Sequence, residues 1–297
     1  MVVVCGEALV DVIHEHSVPG GGPFNTARAL ARLGVPTAFI GRLSTDPYGR
    51  LLAAALASDG VSLRMASVGP EPTTRAVATI DPDGTTHYLF ESAGTSAPNL
   101  THEMLPVQLG HEVDAIHVGT LGLVFEPMAS SLMGLVRRDR AGRLVILDPN
   151  VRTGLIDDTA YRNRLHILAG ESTVVKASEA DLGFMLPGTG VEEAARAMLH
   201  AGARLAVVTL GDRGAFAVHR DLRVFAPAPH IEVVDTIGAG DAFGAGLLAW
   251  LHDHGKISAE LSLEKDELAA ALAYACMVAA ITCTRRGADP PWKRELS

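Results

Sequence analysis

The sequence predicts an α/β fold: a three-layer αβα sandwich around a mostly parallel central sheet, with a small β lid. Three observations lead there. Short β-rich runs alternate with longer Ala/Leu-rich segments of helical period through most of the chain, the pattern of parallel strands joined by crossover helices. The strand runs are apolar along their whole length, as strands covered on both faces are. No Pro/Ser-rich linker, charge block or repeat divides the 297 residues, so one continuous domain, 1–297, is the simplest organisation.

In chain order, "MVVVC" (1–5) reads as the first strand, and helices are expected at about 23–33 and 47–58. "TRAVATIDPDGTTHYLF" (74–90) then alternates apolar and polar residues around Asp-Pro-Asp-Gly, which predicts an antiparallel hairpin, a candidate lid over about 73–92. An edge hairpin with no such role fits the same pattern. Strands at "AIHVG" (115–119), "LVILD" (144–148), "STVVK" (172–176) and "LAVVTL" (205–210) alternate with helices near 126–139, 157–169 and 191–201. "LAAALAYACMVAAITC" (268–283) is short and Ala-rich for a membrane span and reads as a buried helix.

Hydrophobic residues make up 48% of the chain and charged residues 20%, enough for a large core of Ala, Leu and Val. A net charge of -9 argues against nucleic acid or an anionic membrane as partner, because both demand a positive face. Cys5, Cys276 and Cys283 form no metal or disulfide spacing, which fits a reducing cytoplasm. No signal-peptide pattern opens the sequence.

The chemistry concentrates in "DTIGAGDAF" (235–243). With a strand within 224–234 and a helix over 241–253, Gly238, Ala239 and Gly240 lie at a helix entrance with unpaired N–H groups, a site for a phosphate. Asp241 stands beside them, either as a base that takes a hydroxyl proton or as an ordinary N-cap. No GxxxxGK[ST] loop or six-residue dinucleotide fingerprint is present. Near the N-terminus, Asp11, the run Gly20-Gly21-Gly22 and Asn25 suit a polyhydroxylated ligand, or simply a glycine turn before a helix.

Together with "FIGRLSTDPYG" (39–49), "DPNVR" (148–152), "VKASEAD" (175–181) and "VTLGDRGA" (208–215), these segments occur in an order that resembles the ribokinase/PfkB family of carbohydrate kinases, above all its fructokinase branch. The resemblance spans the chain and implies a ribokinase-like fold in which a sugar alcohol attacks the γ-phosphate of ATP. It assigns Asp241 as catalytic base, the amides of Gly238, Ala239 and Gly240 as anion hole, and Asp11, Gly21, Asn25, Asn150 and Arg152 to the sugar. On the nucleotide side it selects Lys176, Ser178, Thr209, Gly211 and Gly214. "TRRGADPP" (284–291) resembles the segment that closes over adenine and, with Asp235, helps hold a monovalent cation such as K+.

The family's usual acid that organises Mg2+ through water has two counterparts here, Asp181 and Glu179. Between Asp11 and Gly20 only eight residues remain, so the expected lid consists mainly of the 74–90 hairpin, which weakens the case for a lid-mediated homodimer. "LFESAG" (89–94) lacks the basic residue usual after the second lid strand in fructokinase relatives, which leaves the sugar open between fructose, 2-keto-3-deoxygluconate, ribose and a nucleoside. A catalytically silent sugar-binding module is the reading of a different class.

Overall fold

The computed structural model describes residues 1–13, 16–80, 86–151 and 159–296. In its first third the chain runs β1 (Val2–Cys5), β2 (Leu9–Ile13), β3 (His16–Gly20), α1 (Gly22–Arg32), β4 (Thr37–Ile40), β5 (Arg42–Ser44), α2 (Pro47–Ser58), β6 (Ser67–Gly69), β7 (Arg75–Ile80) and β8 (Thr86–Glu91). It continues through β9 (Ala115–Gly119), α3 (Met128–Asp139), β10 (Leu144–Asp148), α4 (Thr159–Glu171), β11 (Val174–Ser178), α5 (Glu179–Met185) and α6 (Val191–Ala201). It closes with β12 (Leu205–Thr209), β13 (Ala215–His219), β14 (Leu222–Ala226), α7 (Ala239–Asp253) and α8 (Lys265–Cys283).

Among the described residues, the central sheet has the order β14-β13-β12-β11-β10-β9-β1-β4. Pairing is parallel from β4 to β12, and β13 and β14 extend the sheet antiparallel. Strand alternation divides the core in two. Val2 and Val4 face one apolar layer with Leu30 of α1, Leu52 of α2, Leu247 of α7 and Leu272 of α8, whereas Val3 and Cys5 face another with Leu132 of α3, Leu165 of α4 and Met198 of α6. Because every parallel strand points the same way, the loops after β1, β9, β10, β11 and β12 open on one edge of the sheet.

The lid differs from the expectation. A second sheet of order β3-β2-β7-β8 stands over that edge, with β2 and β3 antiparallel, β2 and β7 parallel, and β7 and β8 antiparallel. The strand holding Asp11 begins two residues earlier, at Leu9, so the segment before Gly20 completes a hairpin in which Asp11 pairs with Val18. The predicted 74–90 hairpin is present with Arg75 opposite Glu91, but its Asp-Pro-Asp-Gly turn lies outside the described residues.

Two further boundaries shift. The last sheet strand, β14, ends at Ala226, so most of 224–234 is irregular, and α7 starts at Ala239 rather than 241. By length and composition α8 could cross a membrane. Its Leu268, Ala271, Leu272, Ala275 and Val278 are instead buried in the core against α7, β13 and β14.

Candidate active site

The entrance to α7 is built on Gly238. Its φ of 77° is left-handed, and a Cβ there would stand 2.6 Å from the Cβ of Ala288, so the turn and the C-terminal segment both require glycine. Gly238 is also the N-cap, which corrects the alternative that Asp241 caps the helix. Asp241 is instead the third helical residue, in the first turn. Its neighbour Ala239 already donates its N–H to the Thr236 carbonyl at 3.2 Å. The first-turn amides of Gly240 and Asp241 have no acceptor within the helix and, with the dipole, favour an anion here.

Two side-chain amides reach the Asp241 carboxylate. Asn25 Nδ2, on buried α1, donates to Oδ2 at 2.9 Å, and Asn150 Nδ2 lies 3.5 Å from Oδ1. Asn150 follows β10 with a left-handed φ of 41°, a conformation that asparagine tolerates better than most residues. With Asp241 only 6% exposed, both contacts fix an acceptor where a hydroxyl proton can be taken.

Beneath this cradle lies a buried ion pair. Lys176 Nζ contacts Asp148 Oδ2 at 2.8 Å, with the side chains 4% and 1% exposed. A Cβ on Gly240 would be 3.2 Å from the same ammonium. Burial opposes the Lys176 charge, yet Asp148, Asp181 and Asp241 together hold its pKa above the usual range. Burial pushes the Asp148 carboxyl up, Lys176 opposes that shift, and the charges of Asp241 and Asp181 add to it. Lys176, expected among the nucleotide residues, is thus a counter-charge under the helix entrance.

A cavity of about 320 Å3 opens on the lid side, lined by Asp11, Gly21, Asn25, Asn150, Gly238, Gly240 and Asp241. Four of the five residues expected to bind sugar meet there, while Arg152 lies outside the described residues. A second cavity of about 340 Å3 opens on the other side, lined by Thr209, Gly211, Gly214, Ala239 and Gly240, with Phe243, Cys276 and Cys283 as an apolar floor. Thr236 and Gly240 line both cavities. The glycine turn is therefore the partition between two ligand-sized spaces.

Other expected residues fall elsewhere. Ser178 caps α5, and Asp181 completes a reciprocal capping box with it while also accepting from the Val151 amide at 2.6 Å. Both Asp181 oxygens are so engaged, whereas Glu179 is 41% exposed and pairs with Arg213 of the turn that carries Gly211. No group of three or more His, Cys, Asp or Glu side chains suited to a metal occurs among the described residues. Asp235 accepts from the amides of Ile237 at 3.0 Å and Gly287 at 2.8 Å, which ties the glycine turn to the 284–291 segment.

Sequence reasoning missed Glu7 and Thr120. Glu7 is 1% exposed and lines the lid-side cavity with Thr120, whose own φ is 57°. Glu7 stood inside the quoted "GEALVD", but nothing in the sequence indicates what it touches.

The pfkB family carbohydrate kinase model matches residues 4–294, and the chain belongs to that family. It is 37% identical over 262 residues to a fructokinase of Rhizobium leguminosarum bv. trifolii, covering 84% of this chain and 79% of the relative. To a fructokinase-1 of Oryza sativa subsp. japonica it is 33% identical over 299 residues, 99% of this chain and 91% of the relative. The crystal structure of a Vibrio cholerae fructokinase with fructose, ADP and calcium bound superposes with a TM-score of 0.84 at 29% identity, covering 97% of this chain and 94% of that one.

Proposed function

We propose that this protein is an ATP-dependent sugar kinase of fructokinase type, with fructose as its acceptor. The observation that carries this reading is the partition: Gly240 and Thr236 face both cavities, and the Asp241 carboxylate looks into the lid-side one. A sugar seated among Asp11, Asn25 and Asn150 presents a hydroxyl to Asp241, and a nucleotide along Thr209, Gly211 and Gly214 presents its γ-phosphate at the turn. The hydroxyl proton passes to Asp241, the freed oxygen forms the new bond to phosphorus, and the bond to the ADP oxygen breaks. The first-turn amides and the helix dipole meet the charge on the transferring group, and Lys176 adds a buried positive charge behind them.

Mg2+ bound to phosphate oxygens would supply charge neutralisation. Such an ion keeps most of its water, so a single nearby carboxylate is sufficient, and the half-exposed Glu179 suits that role better than the fully bonded Asp181. The pair of amides on Asp235 supports the 284–291 segment as the wall beside a K+ position.

An ADP-release screen of ketoses, aldoses, sugar acids and nucleosides tests the reading, with fructose expected to give the highest kcat/KM. Fructose binding by calorimetry without ADP release from any acceptor would replace it with the silent binding module.

A further inference from the structure

We propose that Glu7 is a positioning residue of the sugar cavity: its carboxylate ties the entrance of α1 and the strained turn at Thr120 into one wall. The proposal rests on the kinase reading of the same cavity. Glu7 leaves β1 at the edge of the sheet, and its two oxygens receive three donors from two distant segments. Oε1 accepts from the Gly22 amide at 3.2 Å and the Thr120 hydroxyl at 2.5 Å, and Oε2 accepts from the Gly122 amide at 2.8 Å.

Each bond serves a separate need. Gly21, the N-cap of α1, has no side chain to cap with, so an acid from outside the helix satisfies the Gly22 amide at the positive end of the dipole. Thr120 occupies the left-handed region at φ 57°, which is unfavourable for a branched residue and persists only when its surroundings enforce it. The bond to Glu7 is that enforcement, and it presents Thr120 to the cavity. Space is equally constrained: a Cβ on Gly22 would lie 2.4 Å from Thr120 Cγ2 and 3.3 Å from Asp241 Oδ1. The Thr120 turn, the α1 entrance and the catalytic carboxylate therefore touch, and Glu7 sets their spacing from the sugar side. Three donors on two oxygens also require a carboxylate, because an amide in its place turns N–H against N–H.

The test is steady-state kinetics of the full chain with fructose and ATP, together with fructose titration calorimetry, for Glu7→Gln, Thr120→Ala, Thr120→Ser and the Glu7→Gln/Thr120→Ala double variant. Glu7→Gln, which leaves one buried N–H unpaired, and Thr120→Ala, which takes one donor from the buried carboxylate, should each raise the fructose KM and Kd about tenfold. The KM for ATP and kcat should stay within about threefold, since Asn25 and Asn150 still hold the Asp241 carboxylate and neither Glu7 nor Thr120 lines the nucleotide cavity. Thr120→Ser keeps the hydroxyl and should behave as wild type, and the double variant should fall well short of the product of the two single effects.

An unchanged fructose KM in Glu7→Gln, or equal losses in both KM values and kcat, would overturn the proposal. If Glu7→Gln does not fold, the contrast between Thr120→Ala and Thr120→Ser decides it: equal fructose affinity in the two rejects the assignment. Wild-type protein that binds fructose but releases no ADP defeats the kinase reading instead, and calorimetry on the same variants still judges Glu7.

Discussion

Two helices at the functional edge carry an aspartate at the third position of the first turn, and the two aspartates act differently. In α5 the N-cap is Ser178, whose hydroxyl and amide bond Asp181, so the acid completes its own helix end. In α7 the N-cap is Gly238, which has no side chain, and the Asp241 carboxylate receives the amides of Asn25 and Asn150 from other parts of the fold. Both acids gain from the dipole of the helix that bears them. What separates the two acids is the residue three places earlier, which either engages the carboxylate, as Ser178 does, or has no side chain to do so, as at Gly238.

Substitutions break or sharpen that contrast. The largest effect is expected for Asp241→Asn, which keeps the shape but removes the proposed base and turns one N–H toward an Asn25 or Asn150 amide: kcat should fall about 10²–10⁴-fold, far beyond what any drop in thermal midpoint accounts for, read by ADP release and calorimetric melting. Near-wild-type turnover would reduce Asp241 to the same structural class as Asp181. Gly238→Ser, which installs the kind of cap α5 has, comes next. A side chain there meets Ala288 at 2.6 Å and the left-handed φ of 77°, so stability should drop by about 1–2 kcal/mol and kcat fall with it as the C-terminal segment is pushed aside. The smallest effect is expected for Ser178→Ala, about 1 kcal/mol in a denaturant titration with kcat nearly intact. A large kcat loss in that variant would place Ser178 and Asp181 in the catalytic machinery.

The sequence carried the layer architecture well because parallel buried strands and Ala-rich helices leave strong periodic signals, as β1, β9, β10 and β12 illustrate. The lid was underestimated because β2 is short and starts before Asp11, so counting from the acid hid half of the hairpin. Asp241, Asn25 and Asn150 were legible as residue types near glycines. Their convergence was not, since it depends on a contact between positions 216 residues apart. Ser178 and Asp181, which the family resemblance gave to the nucleotide and to Mg2+, form a capping box at the start of α5. Glu7 was silent for the same reason as Asn25: its partners lie 15, 113 and 115 residues away.

The thin partition at Thr236 and Gly240 has a thermodynamic consequence. A ligand that orders this turn from one side prepares it for the ligand on the other, and such coupling must be reciprocal. Whatever factor a non-hydrolysable nucleotide applies to sugar affinity, the sugar must apply to nucleotide affinity, so two titrations performed in opposite order give the same number.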